Sequence, residues 1–274
     1  MDSLKRFAAM SFLGLSDAFL IGTGTSIITF GVSLKSFQWI VASYFPKLQE
    51  RVDKLDYKAR KYFYCNAPST VHSFAQVIGP VSYLLRLEKL STMTYDTNLF
   101  VNYGWTGLGP AFYAGIFAGY LIADAIYLGI KDLGPMYVVH HFFASSVWTL
   151  CDSFRCMQFQ GSFLQFNEFS TIFMNLRQLL LTAGYDSKGK HVKWASYSFF
   201  LSFFLVRVLP LPMLVYRWIS TEFNIIKTEV GMPVAVPISL CILAHVGLQS
   251  TWFLMMLRKV LGGSSKKPQQ RRGE

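Results

Sequence analysis

Residues 110–130 read PAFYAGIFAGYLIADAIYLGI, a run of bilayer length in which Asp124 is the only charge. Crossing the hydrocarbon takes about 20 residues of helix, and apolar runs of that length are read as membrane spans. Working outward, six further blocks of this kind appear: roughly 134–152, 161–182, 194–216 and 233–257 downstream, and 67–85 and 22–45 upstream. Gly134 and Pro135 separate the quoted run from the next one, and Pro68, Pro210 and Pro212 punctuate others. The expected fold is all-α, a polytopic membrane protein of about seven transmembrane helices.

Composition agrees with that reading. The 274 residues are 52% hydrophobic, 16% aromatic and 15% charged, where a soluble chain carries roughly 25% charged residues. Mean hydropathy is +0.34. The net charge of +11 comes from Lys and Arg placed between the apolar blocks, a pattern of membrane topology rather than of a nucleic-acid surface. Four cysteines without a CxxC, with only Cys151 and Cys156 close together, give neither a disulfide framework nor a zinc ribbon.

Lys5 and Arg6 precede apolar residues as in a secretory signal, yet no small-residue cleavage site follows, so this stretch reads as an uncleaved first element. The tail GGSSKKPQQRRGE has too few apolar residues to pack and is expected to be disordered. Three regions follow: 1–61 with the first span and a basic loop, 62–258 as the main domain, and 259–274 as the tail. Sixteen of the 26 basic residues fall on one side of seven spans and seven on the other, with Lys35, Arg177 and Arg207 inside spans. The positive-inside rule then gives a lumenal N-terminus and a cytosolic C-terminus.

Charged and polar side chains within a bilayer usually face a protein interior or a water-filled cavity. Four helices each carry them on one face. The stripes are Tyr113, Tyr120, Asp124 and Tyr127; His141, Ser145, Trp148 and Asp152; Glu168, Thr171, Asn175, Gln178 and Thr182; and His245, Gln249 and Trp252. Their spacing is helical, and together they predict a bundle around a polar cavity. A lone Gln or Thr in such a helix is most simply a hydrogen bond to a neighbour, and His72 or His245 alone reads much the same way. The adjacent pair His140 and His141 differs, because neighbouring helix positions point about 100° apart. One can face a cavity while the other reaches a partner helix.

Ser69-Thr70-Val71-His72-Ser73, Gly119-Tyr120-Leu121-Ile122-Ala123-Asp124, His140-His141 and Asn167-Glu168-Phe169-Ser170-Thr171 through Asn175-Leu176-Arg177 occur in this order on consecutive spans. The sequence thereby resembles the TLC-domain family, the fold of ceramide synthases and translocating-chain-associating membrane proteins, over roughly 62–258. It looks most like the small TLC-domain proteins of lipid homeostasis. The resemblance implies six helices ringed around a polar cavity open to the cytosol, with the first span outside. It also implies a location in the endoplasmic reticulum membrane, and acyl transfer from fatty acyl coenzyme A as co-substrate to a lipid acceptor.

In that reading His140, His141, Asp124 and Glu168 are the catalytic group, with a carboxylate orienting an imidazole. His72, Tyr120, Ser145, Trp148, Thr171, Asn175, Arg177 and His245 line the cavity, and Lys188, Lys190 and Lys193 flank a mouth for coenzyme A. No tightly bound cofactor and no metal are expected. Membrane lipids are the expected partners, nucleic acid is not, and a homodimer is allowed.

Two departures stand against simple transfer of ceramide synthesis. The family pattern HH-x-x-T meets Ala144, with Ser145 one place later, and the block H-D-x-x-D is absent where Asn167-Glu168-Phe169-Ser170 stands. A non-catalytic lipid-binding or membrane-composition regulator is therefore an equal rival. A zinc hydrolase of the ceramidase type, drawing on His72, Asp124, His140 or His141, and His245, is a lesser one. Five histidines are too few for a membrane di-iron desaturase.

Overall fold

The computed structural model describes residues 15–84, 110–129, 134–154 and 156–261. The expectations for the first fourteen residues, the 86–109 loop, the 131–133 turn, Arg155 and the tail from 262 lie outside the described residues. Every regular element described is helical. The order is α1 (Asp17–Tyr44), α2 (Pro46–Asp53), α3 (Tyr57–Leu84), α4 (Pro110–Leu128), α5 (Pro135–Ser153), α6 (Gln158–Phe166), α7 (Phe169–Thr182), α8 (Lys190–Phe203), α9 (Leu211–Arg217), α10 (Phe223–Glu229) and α11 (Met232–Val260). Four rods are long and apolar enough to cross a membrane: Asp17–Tyr44, Ala111–Leu128, Lys190–Thr228 and Met232–Val260. The protein is an all-α polytopic membrane protein.

The other three expected spans are present as α3, α5 and the α6–α7 pair. Their mean hydropathy is lowered by residues such as Asn66, Ser69, His72, Ser73 and Gln76 on α3, all buried inside the protein. A bilayer helix carries polar groups cheaply when they face other helices rather than lipid, so these three rods are the inner wall.

Several boundaries move outward from their expected positions. α1 begins at Asp17 rather than near 22, because Ser16 caps it: Phe19 N–H donates to Ser16 Oγ at 3.1 Å. α3 begins at Tyr57, ten residues before the apolar block, and carries Lys58, Arg60 and Lys61 out of the hydrocarbon. The divisions at 61/62 and 258/259 therefore fall within α3 and α11. The sixth span extends from Lys190 to Thr228. Pro210 cannot donate a backbone hydrogen bond, and the chain around it widens into a π-helical turn, Phe204–Val208, closed by Leu209 N–H to Phe204 C=O at 2.9 Å.

α1 and α4 run parallel with their backbones in close approach. Their seam is built from small residues, Gly22 and Ser26 on α1 and Gly115 and Gly119 on α4. A Cβ on Gly115 would strike the Phe19 carbonyl, and one on Gly119 the Thr23 carbonyl. The G-x-x-x-G spacing lets two backbones approach without lipid between them. Phe30 closes the seam against Tyr120 and Tyr127, each with ring centroids 6.0 Å away. α3 and α5 pack antiparallel to α4, as alternating crossings require. On the loop side, Arg51 of the short α2 donates to the Ala183 carbonyl at the end of α7, fastening α2 beneath the bundle.

Because the obstruction at Gly119 is backbone, Gly119→Val should separate α1 from α4 and destabilise the protein by at least about 1–3 kcal/mol, the usual cost of overpacking. Gly24→Val, where an added Cβ meets nothing within 4 Å, should cost far less. Thermal unfolding of both variants in detergent checks the difference.

Candidate functional site

Between α3, α4, α5, α7, α11 and the π-helical turn lies a cavity of about 690 Å³. Its wall includes Asn66, Ser69 and His72 from α3, Tyr120 and Asp124 from α4, Tyr137, His140 and His141 from α5, and Thr171, Asn175, Arg177 and Gln178 from α7. Trp252, Met256 and Lys259 of α11 complete it. Tyr62, Leu128, Gln178 and Lys259 mark its end, on the side of the bundle that carries α2.

His141 Nε2 lies 3.0 Å from Asp124 Oδ2, and its Nδ1 lies 2.8 Å from the Tyr137 carbonyl. Both ring nitrogens thus face acceptors. Asp124 and the Tyr137 carbonyl hold the His141 ring from both edges and tie α5 to α4. Such pairing is what allows a carboxylate into a membrane interior. His140, about 100° around the helix, makes no hydrogen bond among the described residues and packs its ring near Trp252, with centroids 5.7 Å apart. His72 stacks on Tyr120 at 4.1 Å, and neither of its nitrogens finds a partner. Asn175 Nδ2 reaches Ser69 Oγ at 2.9 Å and Thr70 Oγ1 at 3.0 Å, tying α7 to α3.

The fifth expected span is broken. α6 ends at Phe166, α7 starts at Phe169, and the buried Asn167 and Glu168 form the joint. Arg207, buried in the π-helical turn, fills it. Its Nε donates to Ser170 Oγ at 2.8 Å and to the Asn167 carbonyl at 3.0 Å, and its Nη2 to Thr171 Oγ1 at 3.0 Å and Glu168 Oε1 at 3.4 Å. One guanidinium thereby reaches two hydroxyls, a carboxylate and a backbone carbonyl that also accepts from the Ser170 N–H and hydroxyl. Asn167 turns its amide the other way, toward His245 Nε2 at 3.4 Å.

Beyond the joint a second, narrower chamber of about 80 Å³ continues, walled by apolar side chains including Trp148, Leu164, Leu211 and Ile242. A Cβ on Gly161 would meet the Trp148 ring at 2.7 Å, so α6 and α5 leave only a slot. Phe117, His140, Glu168 and Arg207 belong to both walls and form the neck between the two spaces.

Residues 67–258 match the TLC domain. The chain belongs to the TLC-domain family. No curated protein and no solved structure matches it as a similar one. The TLC domain points to a membrane protein of lipid metabolism or homeostasis.

Within this TLC domain, the residues singled out from the sequence separate into groups. His72, Tyr120, Asp124, His140, His141, Glu168, Thr171, Asn175 and Arg177 line the larger cavity, while Trp148 and His245 line the smaller chamber. Ser145 lines neither. Its hydroxyl donates back to the His141 carbonyl at 2.6 Å, the usual resting place of a serine within a helix. Glu168 orients no histidine, since Arg207 holds it. Lys188, Lys190 and Lys193 stand exposed away from the cavity, whose basic rim is Arg177 and Lys259. Among the described residues no three His, Cys, Asp or Glu side chains group closely enough to share a metal ion; His141 is on Asp124, His245 on Asn167, and His72 on Tyr120. In the sequence Arg207 stands only as a charge within a span. Its buried position one helix away from Glu168 was the available signal.

Removing one member of a buried ion pair costs about 3–5 kcal/mol because the other is left uncompensated. Arg207→Met should therefore unfold the TLC domain at markedly lower temperature. Adding Glu168→Leu to it should recover part of the loss, giving a non-additive cycle in detergent-solubilised protein. Strictly additive losses would mean that the two side chains do not depend on one another.

Proposed function

We propose that the cavity binds a single-chain amphiphile and that the protein transfers a fatty acyl group from coenzyme A to a lipid acceptor, with His140 as the catalytic imidazole. The observation that carries this is the division of labour in the histidine pair: His141 is held on both nitrogens, whereas His140 stands at the neck with its ring turned to the shared space. An imidazole without a protein partner has a ring nitrogen free to accept a proton from a bound acceptor. In the proposed step it removes a proton from the acceptor's hydroxyl or amine as that atom attacks the thioester carbonyl. The carbon–sulfur bond then breaks, and the proton passes to the departing coenzyme A sulfur. The His141–Asp124 pair is a positioning element on the neighbouring residue. Arg177 and Lys259 supply cations at the rim for phosphates.

The second reading is lipid binding without turnover. Ala144 in place of the family threonine and Arg207's hold on Glu168 favour it, since they remove two polar groups from chemical use.

For either reading the protein sits in the endoplasmic reticulum membrane with its C-terminus in the cytosol, a placement supported by the basic segments at 47–61 and after 257. A tag following Glu274 should then be digested by protease added to sealed microsomes. Full protection of the tag would reverse the orientation and close the proposed route for coenzyme A.

His140→Ala should lower acyl transfer from long-chain acyl coenzyme A to endogenous lipid by about two to four orders of magnitude, while Ser145→Ala changes it little. Both variants are first matched for expression and thermal unfolding. If purified protein carries lipid but neither the wild type nor the variants turn over acyl coenzyme A, the binding reading stands instead.

A further inference from the structure

The smaller chamber contains two polar groups that its apolar wall does not explain. Gln160, on α6, is 2% exposed and Gln249, on α11, is fully buried. Both atoms of each amide lack a hydrogen-bond partner, and both residues line the chamber. An unsatisfied buried polar group costs about 1–3 kcal/mol. Two complete amides, on different helices of one chamber wall, are a large penalty to leave standing.

The chemistry of an amide limits what can relieve it. Each offers one acceptor oxygen and two donor hydrogens. A saturated chain leaves all of these groups unpaired. A carbonyl only accepts, so it serves the amide nitrogens and leaves the oxygens orphaned. An ion has no unused counter-charge there, because Glu168 and Arg207 at the neck already face each other. A hydroxyl both donates and accepts, so it can take a hydrogen from the amide nitrogen of each glutamine and give its own to one of the two amide oxygens, and it is small enough for a slot held narrow by Gly161 against Trp148.

We propose that the smaller chamber is a selectivity site for a hydrocarbon chain that bears a hydroxyl, read by Gln160 and Gln249. This rests on the reading of the larger cavity as the seat of an amphiphile's head, with the tail passing the neck beside His140. The site selects by the cost of the alternative: an unsubstituted chain fits the apolar wall yet strands two amides. A site built to hydrogen-bond a hydroxyl rejects the analogue lacking it far more strongly than a hydrophobic pocket distinguishes one methylene.

The test uses the full chain in phosphatidylcholine nanodiscs with tritiated octadecanoate as probe. Unlabelled octadecanoate and a positional series of hydroxyoctadecanoates are the competitors. At least one hydroxylated isomer should compete about ten-fold or more better than octadecanoate. Gln160→Leu or Gln249→Leu should abolish that advantage while octadecanoate still binds, which also shows that the variant is folded. Equal competition by every isomer in the wild type would overturn the inference and mean that trapped water satisfies the amides. So would a preference that survives in both variants. If octadecanoate itself does not bind, the lipid-cavity reading fails and takes this inference with it, a result distinct from equal competition.

Discussion

The guanidinium of Arg207 is the contact on which the arrangement depends. A break in a membrane helix frees backbone groups that no water can satisfy, and such breaks persist only where protein supplies the partners. At Asn167 and Glu168 part of the supply is local, from Ser170 N–H to Asn167 C=O at 3.3 Å and from Thr171 N–H to Glu168 C=O at 3.0 Å, and the rest comes from one side chain on the next rod, through Asn167 C=O, Ser170, Thr171 and Glu168. The consequence extends beyond local satisfaction. With the helix divided there, its first half presents Gln160, Gly161 and Leu164 to the narrow chamber, and its second half presents Thr171, Asn175 and Gln178 to the wide one. The same charge pair that repairs the break also forms part of the neck.

Around that neck the bundle sorts its rods by what each must face. The rods Asp17–Tyr44, Lys190–Thr228 and Met232–Val260 each have only 28% of their most apolar window buried, whereas Ala111–Leu128 has 61%. The latter is thus a central helix, apolar because it packs on both sides, with glycines toward α1 and Tyr120 and Asp124 toward the cavity. The less apolar rods α3, α5 and the α6–α7 pair owe their composition to the cavity wall. Hydropathy read along the chain therefore ranks helices by lipid contact and by packing together, and it undervalues the helices that line a polar interior.

That is why the sequence yields the helices more readily than the site. Blocks of bilayer length identify the spans, and intramembrane charge marks Asp124, Glu168 and Arg207 as interior. Helical period places Glu168, Thr171 and Asn175 on one face. It does not say which rod stands opposite, and Glu168 meets Arg207 rather than a histidine. Nor does it distinguish a serine that lines a cavity from one folded back on its own helix, as Ser145 is. The joint at Asn167–Glu168 has no proline, and its signal is tertiary: an arginine on another rod that supplies what the break removes. The α1–α4 seam was legible as Gly115 and Gly119 four apart, a pattern whose meaning depends on which helix approaches.

The pair His140 and His141 carries this logic to the chemistry. Adjacent positions diverge by about 100°, so one histidine can be committed to structure while the other remains free. His141 spends both nitrogens on Asp124 and the Tyr137 carbonyl, which gives the acid a partner inside the membrane and fixes α5 against α4. With the backbone of α5 held at 141, the direction of His140 is held as well, toward the neck. Four residues on from His140, Ala144 lines the narrow chamber, so the alanine that replaces the family threonine makes the wall of that chamber drier and wider. This departure from the ceramide synthase pattern thus acts on the narrow chamber, where Gln160 and Gln249 also lie, while the other, Asn167-Glu168-Phe169-Ser170 in place of H-D-x-x-D, falls at the joint that Arg207 holds.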